Sequence, residues 1–264
     1  MMGARQNLPD SLPVLEFSGS VATIRLSRPK KLNRLSPADL WARQEHCRRI
    51  NEASHIRIAV LTADTQGQER PVFCAGYEVS AFDSGAHHPR LFETTVELLA
   101  GLRPVLICGL NGSVFGGATD MVLACDLRIG RRGLVFKMPA VALGLHYYPS
   151  GLQRYVHAFG LEGARQAFLG ARQITGEHLL NCGVLTDLCN PEDYEEAMDA
   201  LVTHVGALAP LAAQGTKRSL LEIAQGHFNE PLLRQREALT LGSHDFAEGR
   251  AAFAQKRTPQ FKGI

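Results

Sequence analysis

The chain has 264 residues, 45% of them hydrophobic and 20% charged, with a formal net charge of +2. That is the composition of an ordinary globular protein, long enough to bury a core without disulfide or metal staples. The charge balance argues against a nucleic-acid binder built on a concentrated basic face, and no stretch approaches the ~20 apolar residues of a membrane span. The expected partners therefore include neither nucleic acid nor membrane.

Six cysteines occur, at Cys47, Cys74, Cys108, Cys125, Cys182 and Cys189, with no C-x-x-C pair among them. Their gaps fit neither a zinc site nor a secreted disulfide framework, so they read as buried free thiols in a reducing compartment, with no metal. The segment Met1 to Leu12 is polar and lacks the apolar core of a signal peptide, which makes the cytoplasm the expected location.

Taken in chain order, Val21 to Leu26 alternates apolar and polar residues, as a half-buried strand does. Ser27 to Ser36 is a turn-rich link, and Ser36-Pro37 supplies an N-cap and a first-turn proline for a helix. Arg57 to Ala63 is a β-branched strand, and Val105 to Leu110 is another. Gly116-Gly117 precedes a small-residue helical run from Ala118 to Ala124, and Leu127 to Ile129 and Leu134 to Phe136 read as short strands. Strands separated by helical crossovers imply parallel pairing and an α/β architecture. Beyond Pro191 the chain turns helical. Tyr194, Met198, Leu201, Val205 and Leu208 share one helix face, Pro210 begins a helix reaching Ala224, and Pro231 begins a third. Phe246 to Lys256 continues that third helix or forms a fourth.

Two glycine turns carry the chemistry. The first is Phe73-Cys74-Ala75-Gly76-Tyr77-Glu78; the second runs from Asn111-Gly112 through Gly116-Gly117 to Asp120 and joins a strand to a helix. Glycine lets a ligand approach the backbone closely, and a helix N-terminus presents unsatisfied N–H groups with a favourable dipole. The Gly116-Gly117 pair is neither a Walker loop nor a G-x-G-x-x-G fingerprint, so nucleotide phosphate binding is not indicated.

Together and in this order the two turns resemble those of the crotonase (enoyl-CoA hydratase/isomerase) superfamily. The resemblance extends to Leu26-Ser27-Arg28-Pro29-Lys30-Lys31-Leu32-Asn33, to Ala124-Cys125-Asp126, to Ile174-Thr175-Gly176 and on to Val184, and to the terminal run from Lys256 to Gly263. It implies an α/β fold, a crotonase-like spiral of ββα repeats with a C-terminal helical trimerisation region, here divided at residues 1–200 and 201–264. It implies an acyl-CoA substrate, no cofactor beyond the coenzyme A of that substrate, and a homotrimer or homohexamer. The thioester carbonyl is expected between the N–H groups of Tyr77 and Gly117. Preorganised donors aimed at a developing oxyanion supply about 3–4 kcal/mol each.

The same resemblance places substrate-binding residues at Lys31, Leu32, Ala75, Gly76, Glu78, Ala140 and Lys262. Lys30, Lys31 and Lys262 could meet coenzyme A phosphates. Hydratases of the superfamily use two glutamates. Asp120 stands at the first position, one methylene shorter, and Ala140 stands at the second, where it can exchange no proton. Asp120 is thus either a general base or a helix-bound hydrogen-bonding residue. The loop Leu143 to Gly151 resembles that of bacterial methylmalonyl-CoA decarboxylases, which place a tyrosine where Tyr147 falls. Tyr147 is either a site residue or packing, and His146 is the residue there that titrates near neutrality. The catalytic candidates are Asp120, Tyr147 and His146. Three activities follow as expectations: a hydratase or isomerase with a non-standard proton-transfer set, a decarboxylase or other C–C lyase, and an acyl-CoA binder without turnover. The acyl pocket is expected to depend on Ala81 to Leu91 and on the Tyr147 loop.

Overall fold

The computed structural model describes residues 11–78, 88 and 90–264. Strands β1 (Val14–Ser18) and β2 (Val21–Leu26) form an antiparallel pair, and β2 buries alternate residues as its sequence predicts. Helix α1 (Pro37–Glu52) begins where Ser36 and Pro37 place it, with the Ser36 N–H donating to the Asp39 carboxylate at 2.8 Å. There follow β3 (Ile58–Ala63), β4 (Val72–Cys74), α2 (Leu91–Ala100), β5 (Val105–Leu110), β6 (Ser113–Phe115), α3 (Ala118–Leu123), β7 (Leu127–Arg131), β8 (Val135–Lys137) and α4 (Pro149–Phe168). The chain then passes through β9 (Ile174–Thr175), α5 (Gly176–Asn181) and β10 (Asp187–Cys189). It ends in α6 (Tyr194–Gly206), α7 (Pro210–Ala224), α8 (Glu230–Leu241) and α9 (His244–Gln255).

Two sheets result, ordered β1-β2-β3-β5-β7-β10 and β4-β6-β8-β9. From β3 to β8 consecutive strands alternate between them, and a helix follows each pair, as in β5–β6–α3 and β7–β8–α4. This is the expected spiral of ββα repeats. From β2 to β10 the first sheet is parallel, so the carboxyl ends of its central strands lie on one side. Helices cover both faces of that sheet, so a central strand such as β3 is apolar throughout rather than alternating. Its Ala59, Leu61 and Ala63 enter the larger core, while Ile58 and Val60 pack with Tyr194, Met198 and Val205 of α6.

Several elements escaped the sequence reading, among them β1, α2 and α4, with the short β4, β6, β9, α5 and β10. β1 is a short, largely exposed edge strand, and α2 follows a stretch with no clear start signal. α4 is interrupted at Gly160, whose φ of 67° and ψ of 172° break the helical path. Phe246 to Lys256 proves to be a separate helix: Ser243 caps α9 by accepting from the Phe246 N–H at 3.0 Å. A division at residue 200 falls inside α6, which packs under the sheet, so the helices that stand outside the core begin at Pro210. The thiols are free, but the expectation of burial holds for four of them only; Cys182 is exposed and Cys189 half-buried. Among the described residues no helix is long and apolar enough to cross a membrane.

The last three helices hold together partly through charge. Glu222 on α7 accepts from Arg236 on α8 at 2.7 and 2.9 Å and from Arg218 at 2.7 Å. The hydrogen bonds from Arg236, then those from Arg218, hold its carboxyl down to about 2, against an ordinary 4.5. A carboxyl depressed on folding stabilises above its unfolded value and loses that contribution as pH falls through the folded value. The α7–α8 contact is therefore expected to be intact at pH 5 and to loosen between about 4.5 and 2. Hydrogen exchange of α8 amides across that range checks this. In Glu222→Gln the step should vanish.

Candidate active site

The first glycine turn is clamped by the loop before α1. Ala75 N–H donates to Leu32 O at 2.9 Å, Leu35 N–H to Gly76 O at 2.9 Å, and Glu78 N–H to Leu35 O at 2.8 Å. Buried Asn33 fixes that loop through Asp64 O at 2.8 Å and the Arg28 N–H at 2.9 Å. The loop carrying Lys31 and Leu32, both exposed, therefore lies against the turn of Ala75, Gly76, Tyr77 and Glu78. Glu78 also pairs with Arg34 at 3.3 Å. Tyr77 forms a parallel bridge with Leu35 whose hydrogen bonds are carried by its neighbours, so its own N–H points to the opposite side.

The second turn abuts the first. A Cβ on Gly76, where φ is +95°, would lie 2.8 Å from Phe115 O and 3.5 Å from the Cα of Gly116. Gly116 is also left-handed, with φ of 58°, and its N–H donates to Lys137 O at 2.9 Å. Gly117 then caps α3, whose Thr119 and Asp120 N–H groups turn back onto Gly116 O and Gly117 O at 3.0 Å each. Because backbone faces backbone at Gly76, Gly76→Ala is expected to cost about 1–3 kcal/mol and to separate the two turns. Denaturant melts and acyl-CoA turnover of the variant check both effects; an alanine variant of full stability and activity would refute the close approach.

Aromatic rings wall this corner. The Phe92 ring lies against Gly117, where a Cβ would fall 2.6 Å from Cζ. Phe92 meets the Tyr77 ring edge-on, with centroids 5.9 Å apart, and lies 6.3 Å from Tyr148. Phe92 was not singled out from the sequence. It stands just past Ala81–Leu91, and of that stretch residues 81–87 and 89 lie outside the described residues, as does His87 of the His87-His88 pair.

Asp120 lies one turn beyond Gly117 and is completely buried. Arg154 of α4 grips it with a two-pronged fork: Nε donates to Oδ1 and Nη2 to Oδ2, each at 2.8 Å. Tyr148 donates its hydroxyl to Oδ2 at 2.5 Å, Tyr147 donates to the Tyr148 hydroxyl at 3.1 Å, and Arg154 Nη1 reaches Glu97 at 2.7 Å. Both oxygens of Asp120 are thus occupied by donors, with a cation on one side. Burial first, then the Asp120 charge and hydrogen bond, push the Tyr148 hydroxyl well above its ordinary range. Burial also leads the causes that push Tyr147 up. For Arg154 burial opposes the charge, but the bonds to Asp120 and Glu97 outweigh it and raise its pKa.

The structure distributes the remaining candidates unevenly. Tyr147 is buried, stacked on Tyr148 with centroids 4.2 Å apart, and reaches Asp120 only through that neighbour. His146 is exposed while both tyrosines turn inward. Ala140 is buried and brings no carboxylate. Lys262 is not brought to this corner. It lies near Arg57 and Arg103, at the amino ends of β3 and β5, whereas the glycine turns follow their carboxyl ends. Six residues of strand span ~20 Å, which sets Lys262 about a strand length from the glycine turns within one chain. Arg154 and Tyr148, the residues that define the Asp120 environment, were missed. The Tyr147-Tyr148 doublet gave a signal; Arg154, on a helix that was not recognised, gave none.

The comparisons with known proteins agree with the geometry. The sequence profile described as enoyl-CoA hydratase/isomerase matches residues 16–264. The chain belongs to that family, within the crotonase superfamily. YngF of Bacillus subtilis, named as an enoyl-CoA hydratase/isomerase, is 28% identical over 97% of this chain and 99% of its own. The methylmalonyl-CoA decarboxylase of Escherichia coli is 28% identical over 92% of this chain and 95% of its own. Among solved structures, an enoyl-CoA hydratase from Bacillus anthracis superposes with a TM-score of 0.86 at 25% identity, covering 96% of this chain and all of that one.

Proposed function

We propose that this acyl-CoA enzyme makes a thioester enolate by breaking a carbon–carbon bond, and then protonates it. The substrate is a malonyl-type CoA ester. Its carbonyl oxygen sits between the N–H groups of Tyr77 and Gly117, with Ala75, Gly76, Glu78 and Ala140 around the acyl portion and Lys31 and Leu32 towards the nucleotide. Loss of neutral CO₂ leaves the bonding pair on the α-carbon and the thioester oxygen, where the two donors stabilise it. The Tyr148 O–H delivers the proton to the α-carbon. The phenolate left behind lies beside the Asp120–Arg154 pair, where the Arg154 charge offsets that of Asp120, and accepts from Tyr147 until water returns its proton. Coenzyme A enters as part of the substrate, and no other cofactor is needed.

The observation that carries this reading is that both oxygens of Asp120 are already bound by Arg154 and Tyr148. Three donors, complete burial and the Arg154 cation leave the carboxylate little room on Oδ1 and make it a weak general base. The site offers instead a neutral phenol, Tyr148, held protonated by burial and by Asp120, whose proton a far more basic enolate carbon can take. Decarboxylation needs an acid and no base; hydration needs both. The similarity to a methylmalonyl-CoA decarboxylase is consistent with this choice.

The second reading is hydration or isomerisation of enoyl-CoA esters with Asp120 as base, favoured by its place one turn after Gly117. The two separate cleanly. CO₂ release from malonyl-CoA and methylmalonyl-CoA, with one deuterium entering the α-carbon in D₂O, supports the lyase. Water addition or double-bond shift in 2- and 3-enoyl-CoA esters, lost in Asp120→Asn, would replace it. Binding of these esters with no turnover of any would leave an acyl-CoA binder. The exposed Leu220, Leu239 and Phe253 of α7 to α9 are 61–88% accessible in the single chain and fit burial in a homotrimer or homohexamer. Light scattering of the purified protein tests that assembly.

A further inference from the structure

A cleft of about 580 Å³ opens at the end of the first sheet remote from the glycine turns. Its lining contains Arg57, Arg103, Lys262, His55 and Ser54, and no aspartate or glutamate. None of the three permanent cations takes part in an ion pair among the described residues. Each guanidinium is held by a single carbonyl, Arg57 by Phe261 O at 2.7 Å and Arg103 by Ala53 O at 2.9 Å, which leaves further N–H groups of each fork uncommitted. Asp245, on which the tail folds, spends both oxygens on the Lys262 and Gly263 N–H groups, at 2.7 and 2.8 Å. Pro210 at the first turn of α7 forms another part of the wall, and α7 has no side-chain N-cap.

Three like charges gathered around one concavity repel each other unless an anion joins them. Planar guanidinium forks match phosphate oxygens in pairs, and an uncapped helix start adds N–H donors of the same sign. We propose that this cleft is a second binding site, for a small phosphate-bearing anion, separate from the thioester site. The volume admits a diphosphate or a phosphorylated metabolite. One wall is the terminal segment Phe261 to Gly263, anchored on Asp245 and Arg57. An occupied site would therefore tie the C-terminal tail to the loops before β3 and β5.

Inorganic pyrophosphate titrated calorimetrically into the full chain at low ionic strength tests this. One saturable site per chain is expected, weakened about tenfold or more in Lys262→Met and in Arg103→Met, and unchanged in Lys31→Met. Lys262 has an exposed side chain, so its variant reports binding even if loss of the Arg103–Ala53 contact perturbs the fold. Absence of saturable binding overturns the proposal. So does binding that both cleft variants keep, or that Lys31→Met abolishes, since the anion would then sit on the thioester side.

Discussion

Replacing Arg154 by methionine is expected to destabilise the fold by about 3–5 kcal/mol, because it leaves the Asp120 carboxylate charged, buried and without its cation. Tyr148 alone cannot compensate: one neutral donor serves one oxygen, and Oδ1 loses its Nε partner altogether. The penalty belongs to the stranded charge more than to the pair. Asp120→Asn added to Arg154→Met should therefore recover most of the loss, while Asp120→Asn alone should cost less than Arg154→Met. Chemical denaturation of the four proteins in a double-mutant cycle measures the coupling. If Arg154→Met unfolds at the same denaturant concentration as the parent, the ion pair is not what holds Asp120. The cycle also bears on mechanism, since a carboxylate fixed this firmly for structural reasons is a poor candidate for proton exchange.

Tyr148→Phe has the largest expected effect on activity. The substitution keeps the ring, and with it the stack on Tyr147 and the contact with Phe92, and removes only the hydroxyl. Loss of a positioned general acid lowers turnover by about 10²- to 10⁴-fold. The lowered turnover should come with little change in KM, because in the proposed mechanism backbone N–H groups hold the thioester oxygen. Tyr147→Phe should reduce turnover far less, since its hydroxyl reaches Asp120 only through Tyr148. Steady-state kinetics on malonyl-type CoA esters compares the two. Equal activity in Tyr148→Phe and the parent would remove the phenol from the mechanism, and a larger loss in Tyr147→Phe would exchange their roles. His146, exposed on the same loop, should tolerate alanine without a comparable loss.

Much of this protein was legible in its sequence because the features read there are backbone turns and strands. The two glycine turns, their order, and the loop Arg28 to Leu35 that clamps the first of them are local conformational requirements. A left-handed φ at Gly76 and Gly116, a proline at the start of α1 and an apolar β3 each leave a mark within a few residues. The parallel α/β layering follows from the same marks, since parallel strands need crossovers, whereas the spiral of ββα repeats was implied by the family resemblance. The lack of a second carboxylate at Ala140 was equally plain, for it concerns the identity of one residue.

The tertiary structure alone decided what Asp120 is. Its partner Arg154 lies 34 residues away, on a helix that Gly160 interrupts, and no periodicity links the two. Of three consecutive residues with polar rings, packing against Phe92 and Phe168 turned Tyr147 and Tyr148 inward and left His146 outside. Lys262, whose charge suggested a place beside Lys31, was carried to the other end of the sheet by the fold of the tail on Asp245. A backbone turn is specified by its own few residues. The environment of a side chain depends on which distant helix covers it, and that is settled only when the layers pack.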